Sequence, residues 1–333
     1  MIHARNFAKA IPGATLTAVA DPSREALEQA EHELGNLATF RDYNELLHSA
    51  LVDAVVVVTP TNLHVGVVSE AAAAGKHILC EKPMAMTAGT CVDVSGTASV
   101  FAATTSELRP DTIDGMLGVG RSAVPGLWHP YAYVNGGGMN LEWFKTLAES
   151  LRGSKVSFDE LNDMAAEAGS SDDHPVFVPH LAGRMSPSDP GMRGAWVGLV
   201  WNHSAGVLYR SILESIALEY QLYKERLLQI NPDQTVLELR NTGGGNTSAL
   251  WRQLKADTMN VRVVEIPDFA GATHGVAMVA AVGAGMYDSV EEIARQWVKT
   301  GSATEPSAQD RTQVERRLQR YRDALAMMQG YAG

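Results

Sequence analysis

Three glycine-bearing stretches carry residue types that handle phosphate. "GTCVDVSGTASVFAATT" (89–105) alternates like a hairpin and places small residues and hydroxyls at its turn. Such a turn presents backbone N–H groups to phosphate oxygens. "VNGGGMNLEWFKTLAESL" (134–151) is a glycine cluster opening a helix, and "LRNTGGGNTSALWRQLKADTMN" (239–260) runs strand, glycine-rich turn, helix. Helix N-termini gather free N–H groups and the positive end of the helix dipole, so anions settle there. Each cluster alone is also an ordinary tight connection. Three in one domain point to a nucleotide site. Two further residues stand at strand ends. Asp21 there either accepts from a ribose hydroxyl or caps the helix that follows Pro22. Lys82 there either steadies a developing alkoxide or is simply solvated.

The elements that must position these residues fall into two patterns. From the start to about residue 87, "ATLTAVAD" (14–21), "PSREALEQAEHELG" (22–35), "DAVVVVTP" (53–60), "NLHVGVVSEAAAAG" (62–75) and "KHILCEKP" (76–83) alternate strand and helix. That rhythm predicts βαβ units and a parallel sheet. After Thr87 the pattern changes to the glycine-turn elements, then a small-residue helix, "GATHGVAMVAAVGAGMY" (271–287). The tail, "DRTQVERRLQRYRDALAMM" (310–328), sets Val314, Leu318, Tyr321 and Leu325 on one stripe, which predicts an amphipathic helix docked on its own domain.

Composition removes several classes. The chain of 333 residues is long enough for about two domains. Its net charge of −11 and lack of a basic cluster predict no nucleic-acid partner. Cys80 and Cys91 have no metal spacing and read as two buried thiols in a reducing cytoplasm. The apolar runs are too short to span a bilayer, and "MIHARNFAKAIPG" has no apolar signal core, so a cytoplasmic, membrane-free protein is expected.

The first segment, in "ADP" (20–22), "VVVVTPTNLH" (55–64) and "GKHILCEKPMA" (75–85), resembles the NAD(P)-binding domain of the glucose–fructose oxidoreductase/inositol dehydrogenase family. The resemblance implies Asp21 on the ribose, Thr59 to His64 along the nicotinamide wall, and Lys82 in catalysis. That family opens on a G-x-G-x-x-G turn, whereas "MIHARNFAK" reads as the helix after it. An incomplete Rossmann-type segment over 1–87, without an effective NAD(P) site or hydride transfer, is therefore expected.

Residues 88–333 carry "DVSGTASVF" (93–101), "VPHLAGRMSPSDPGMRGAWVGL" (178–199), "HSAGVLYRSILESIA" (203–217), "TGGGNTSALWRQLKAD" (242–257) and "THGVAMVAAVGAG" (273–285). In that order they resemble the C-terminal domain of the FGGY carbohydrate kinases, xylulokinase-like branch. The resemblance implies an α/β, actin-like and ribonuclease-H-like fold and ATP with Mg2+ as cofactor. It places Gly96 and Thr97 in the phosphate hairpin, Gly138 on a nucleotide phosphate and Glu142 beside it. It places Gly244 and Ser248 on the adenosine, Gly243 and Gly245 shaping that turn, and Asn246 nearby.

The family's base, an Asp just before the hairpin, has no counterpart in "EKPMAMTAG" (81–89). No other acid is a good substitute. Asp93 is expected in a structural hydrogen bond, and Asp257 to fix local structure. Asp172, Asp173 and His174 are expected in a solvent-facing loop, and His129 in a loop as a structural residue. The expectation is an ATP-dependent sugar kinase by family, for a ketopentose such as xylulose, with poor phosphoryl transfer by the chain itself. A homo-oligomer or a complementing kinase chain would be its partner. The alternatives are an NAD(P)-dependent oxidoreductase and a non-catalytic nucleotide-binding fusion product.

Overall fold

Small and β-branched residues build the first strands. Ala18–Ala20 (β1) and Ala38–Phe40 (β2) pair in parallel, Ala18 opposite Ala38. Between them Arg24–Leu34 (α1) starts at Ser23, whose hydroxyl accepts from the Ala26 N–H at 3.3 Å, and ends at Gly35 with φ 84°. After the short helix Tyr43–His48 (α2), Ala54–Val57 (β3) pairs in parallel with His77–Cys80 (β4). Leu46, Leu47 and Val52 pack with Ala18 and Ala71 into a small core. Lys76 Nζ ties this core down by donating to the carbonyls of Ser49 (3.0 Å) and Val52 (2.9 Å).

The computed structural model describes residues 15–35, 37–59, 73–80, 90–96, 98–267, 272–308 and 311–329, with isolated positions 4, 67, 70 and 71. They form two units, Met1–Met84 with Ala272–Trp297, and Ala85–Gly271 with Val298–Gly333. The helices Ala272–Gly283 and Val290–Trp297 thus join the first unit, the former running beside β4, although sequence reasoning assigns them to the second segment. The parallel βαβ order of the first unit is as expected. Among the described residues, its two ladders are separate two-stranded sheets.

The second unit is built on a mixed sheet. Thr90–Ser95 (β5) and Ser99–Ala103 (β6) form the expected hairpin, Ser95 opposite Ser99. Gly118–Arg121 (β7) and Trp128–Val134 (β8) continue it antiparallel. The helices Gly137–Arg152 (α3) and Phe158–Glu167 (α4) follow, then the short strands Val176–Val178 (β9), Arg184–Met185 (β10), Ser188–Asp189 (β11) and Ala195–Val197 (β12). Next come the long helix Ala205–Ile230 (α5), strand Glu238–Gly243 (β13), a 3-10 turn Gly244–Thr247 and helix Ala249–Met259 (α6). Arg262–Glu265 (β14), Ala303–Thr304 (β15) and Arg311–Gln329 (α7) complete the unit.

The sheet order is β15-β14-β13-β5-β6-β8-β7, with β13 parallel to both β5 and β14. The antiparallel strands β5-β6-β8, continued on the β5 side by parallel β13 and β14, give the ribonuclease-H-like, actin-like arrangement, with β7 and β15 added antiparallel at the two edges. Strand alternation sends Cys91, Asp93 and Ser95 inward from β5. Tyr209, Tyr220 and Tyr223 of α5 and Trp251 of α6 fill the core on that side, and each large buried side chain contributes about 1.5–3 kcal/mol.

The α7 stripe docks as the sequence predicts: Leu318, Tyr321 and Leu325 pack on Val176, Val178, Leu218 and Leu222 of the same unit. Polar anchoring accompanies it. Glu219, fully buried, accepts from His180 Nε2 (3.1 Å), Arg184 Nη2 (3.3 Å) and the Tyr321 hydroxyl (2.6 Å). Burial raises its pKa, but Arg184, His180 and Tyr321 together outweigh that and hold it at about 2. Arg317 of α7 reaches Glu214 at 2.5 Å and the His174 carbonyl at 2.6 Å.

Two sequence expectations are corrected here. His174 does not face solvent; it is buried under α7, while Asp172 is held by Arg316 at 2.9 Å. His129 lies not in a loop but inside β8, where it is buried, and burial pulls its pKa down to about 4. Cys91 is a buried free thiol, its pKa pushed up to about 12 by burial. Among the described residues no helix is long and apolar enough to cross a membrane.

Candidate functional site

The hairpin turn, the start of α3 and the 243–248 turn converge because their glycines allow close approach. The Gly138 N–H donates to the Gly96 carbonyl at 3.1 Å, joining the β5–β6 turn to α3. A Cβ on Gly137 would stand 2.0 Å from Ser99 Oγ, so only glycine lets α3 begin there. Gly136 starts α3 with no side-chain cap, whereas serines cap α1, α4, α5 and α6. The dipole end of this 16-residue helix is thereby left without a competing hydroxyl. On the other side, Gly243 has φ 87° and ψ −169°, a region that side chains strongly disfavour, and carries the chain off β13 against Ser95.

These corners enclose a cavity of about 390 Å3, lined by Ser95, Gly96, Gly138, Met139, Leu141, Glu142, Phe158, Asn162, Tyr209, Leu213, Gly244, Gly245, Thr247, Ser248 and Trp251. The size fits a small-molecule ligand. Six residues expected at a nucleotide line it together: Gly96, Gly138, Glu142, Gly244, Gly245 and Ser248. Gly243 stands one residue outside the lining and acts through backbone shape. Asn246 lies within the 3-10 turn, but its side chain, like all of Thr97, falls outside the described residues. Ser248 also has a local role, since its Oγ caps α6 by accepting from the Trp251 N–H (3.3 Å) and donates to Asn162 Oδ1 (3.2 Å).

The walls escaped sequence reasoning. Met139, Leu141, Phe158, Tyr209, Leu213 and Trp251 have helical spacing that reads as ordinary core. Asn162 has no local signal at all. The lining contains Glu142 but, among the described residues, no lysine or arginine. An anion here would be held by N–H groups and the α3 dipole. Burial, with Glu142 adding to it, pushes the Tyr209 phenol above its ordinary pKa.

Beneath the floor Asp93 takes the structural role expected of it. It accepts from the Tyr220 hydroxyl (2.6 Å) and the Ser95 hydroxyl (2.7 Å), and is paired with Lys255. Asp257 likewise holds local structure, accepting from Ser307 N–H at 2.7 Å and Gln253 Nε2 at 2.9 Å. Among the described residues, no three His, Cys, Asp or Glu side chains form a metal cage.

In the first unit, Asp21 serves the turn before α1, its Oδ1 accepting from the Ser23 N–H at 2.8 Å. Thr59 is half-buried just after β3. His64 and Lys82 lie outside the described residues. The structure thus gathers the kinase-like residues around one cavity and describes only two of the four oxidoreductase-like ones.

Two family profiles match overlapping stretches of the chain. The sequence profile of the FGGY family of carbohydrate kinases, C-terminal domain, matches residues 91–284. That of the oxidoreductase family, NAD-binding Rossmann fold, matches residues 2–100. A xylulose kinase of Staphylococcus epidermidis is 27% identical over 201 residues, covering 60% of this chain and 39% of that protein. The scyllo-inositol 2-dehydrogenase (NAD(+)) of Bacillus subtilis is 40% identical over 84 residues, 25% of each chain. The solved xylulose kinase from Rhodospirillum rubrum shares the fold with TM-score 0.64 at 23% identity, over 74% of this chain and 49% of that one. The chain therefore spans well under half the length of the first of these kinases.

Proposed function

Because this chain belongs to the FGGY family of carbohydrate kinases, we propose that its second unit binds an adenine nucleotide with magnesium in the cavity described above, as the nucleotide half of a kinase for a ketopentose of the xylulose type. The observation that carries this reading is the convergence of three glycine corners on one cavity with apolar walls. The 244–245 turn would hold phosphate oxygens by backbone N–H groups, while Gly96 and Gly138, whose own N–H groups bond the Ala98 and Gly96 carbonyls, shape the opposite corner. Trp251, Tyr209 and Phe158 enclose the base. The donor set suits magnesium, which keeps several waters and needs few protein carboxylates. Glu142 would hold the ion through its water shell, and the bound ion would supply charge neutralisation between the terminal phosphates.

In the same reading, transfer to sugar is slow. Deprotonating an acceptor hydroxyl takes a positioned base. Residues 81–89 offer Glu81 as their sole carboxylate, and Asp93 is committed to Lys255, Tyr220 and Ser95. A complementing kinase chain would supply the base and the sugar site.

The test is a thermal melt of the full chain with ADP and, separately, NAD+. A ligand at 100 times its Kd adds about 2.7 kcal/mol to the unit that binds it. ADP is expected to raise the melting point and NAD+ to leave it unchanged. A shift with NAD+ alone would move the live site to the first unit. Turnover of D-xylulose with Mg-ATP is expected below about 1 per second; ordinary kinase rates of about 1–100 per second would refute slow transfer.

A further inference from the structure

A fully buried lysine lies directly behind the cavity. Lys255 and Asp93 have 0% exposed side chains and form an ion pair. Neither lines the cavity. Lys255 Nζ also donates to Ser95 Oγ at 3.1 Å and sits 3.9 Å from the centre of the Trp251 ring. Ser95 and Trp251 do line it, and both stand against the 243–248 turn. That turn is moulded on both. A Cβ on Gly243 would come within 2.5 Å of the Ser95 carbonyl oxygen, and one on Gly245 within 2.5 Å of the Trp251 ring and 2.6 Å of Ser95 Cβ.

A buried ion pair adds little net stability over apolar residues of the same volume. Its geometric effect is specific. One ammonium fixes the Ser95 hydroxyl by a hydrogen bond and the indole by cation–π attraction, while the Leu213 carbonyl holds the indole N–H at 3.1 Å. Tyr220 grips Asp93 without lining the cavity.

We propose that Lys255 is a positioning residue for nucleotide binding: held by Asp93, it sets Ser95 and Trp251 and thereby the spacing between the 95–98 turn and the 243–248 turn. The binding part of this inference rests on the proposed nucleotide site; the positioning part does not. Lys255→Met alone would strand the Asp93 charge, so the informative variant is Asp93→Asn with Lys255→Met. Tyr220→Phe is the control that weakens the same buried cluster away from the cavity.

The experiment measures hydrogen exchange of the full chain without ligand, and then ADP titration. The double variant is expected to speed exchange at Gly96 and at residues 243–248 by about fivefold relative to core amides of β6, with Tyr220→Phe leaving the turns unchanged. The ADP Kd is expected to weaken about tenfold in the double variant and to stay within about twofold in Tyr220→Phe. A folded double variant with unchanged turn exchange and unchanged ADP affinity overturns the proposal, because a merely structural pair would lower the melting point only. Where the parent chain itself binds no ADP, the nucleotide reading fails and turn exchange alone decides the positioning. Should the double variant not fold, Ser95→Ala decides: it keeps the ion pair and removes the hydroxyl. Faster turn exchange in it supports the proposal, and exchange like the parent's overturns it.

Discussion

Consecutive glycines 243, 244 and 245 meet three different environments, so an alanine scan across them separates backbone shape, free space and cavity wall. At Gly243 the backbone has φ 87° and ψ −169°, and a non-glycine residue held there costs about 1–3 kcal/mol. Its Cβ would lie 2.5 Å from the Ser95 carbonyl oxygen, about 0.8 Å closer than a weak C–H···O contact tolerates. Opening β5 from β13 by that amount adds an overpacking cost of about 1–3 kcal/mol. Gly243→Ala should therefore lose about 2–6 kcal/mol, which lowers Tm by about 4 °C or more in a unit of this size. Gly244 has ordinary φ, and its Cβ would be 3.9 Å from the nearest atom, so Gly244→Ala should stay within about 0.5 kcal/mol of the parent. A Cβ on Gly245 would strike the Trp251 ring and the Ser95 side chain, both cavity walls. Gly245→Ala should cost about 1–3 kcal/mol and lose ADP affinity as the indole moves. Calorimetric melting and ADP titration of the three variants read these out. Equal damage at 243 and 244, or Gly243→Ala melting within about 2 °C of the parent, would refute the reasoning.

Two stability predictions follow from the buried charges. Glu219→Ala strands Arg184, which is 4% exposed, and should cost about 3–5 kcal/mol in urea unfolding; a loss under about 1 kcal/mol would mean that the pair with Arg184 carries little. For pH, His129 titrates at about 4 in the fold against an ordinary 6.5. The unfolded chain then binds more protons between those values, so stability falls by up to about 3 kcal/mol as pH drops from 6.5 to 4. Glu219, at about 2 against an ordinary 4.5, extends the fall from pH 4.5 to 2 by the same sign. Urea midpoints against pH for His129→Gln should flatten the upper part; an unchanged slope would remove His129 as its cause.

Local chemistry is legible in the sequence wherever it needs only near neighbours. The βαβ order of the first unit, the β5–β6 hairpin, the glycine corners and the amphipathic α7 each follow from spacing and residue type, because a turn or a stripe is specified within a few residues. The resemblance adds which corners share one cavity. The same reading stops short at Asn162, Phe158, Tyr209 and Trp251. The three aromatic side chains look like helix core and Asn162 like an ordinary polar helix residue, and only packing turns them toward a cavity. It also misplaces His129 and His174, because burial depends on which distant elements cover a segment, here β8's place in the sheet and α7 docking over 174. Lys255 is the sharpest case. In "WRQLKAD" it reads as one more charge on a helix, yet its partner Asp93 is 162 positions away. Residue order alone settled the turns and the alternation of β5. Folding was needed to bring Asp93, Ser95, Trp251 and Lys255 together beneath one cavity, because contacts between residues so far apart arise from the parallel pairing of β5 with β13 and leave no periodic trace in the chain.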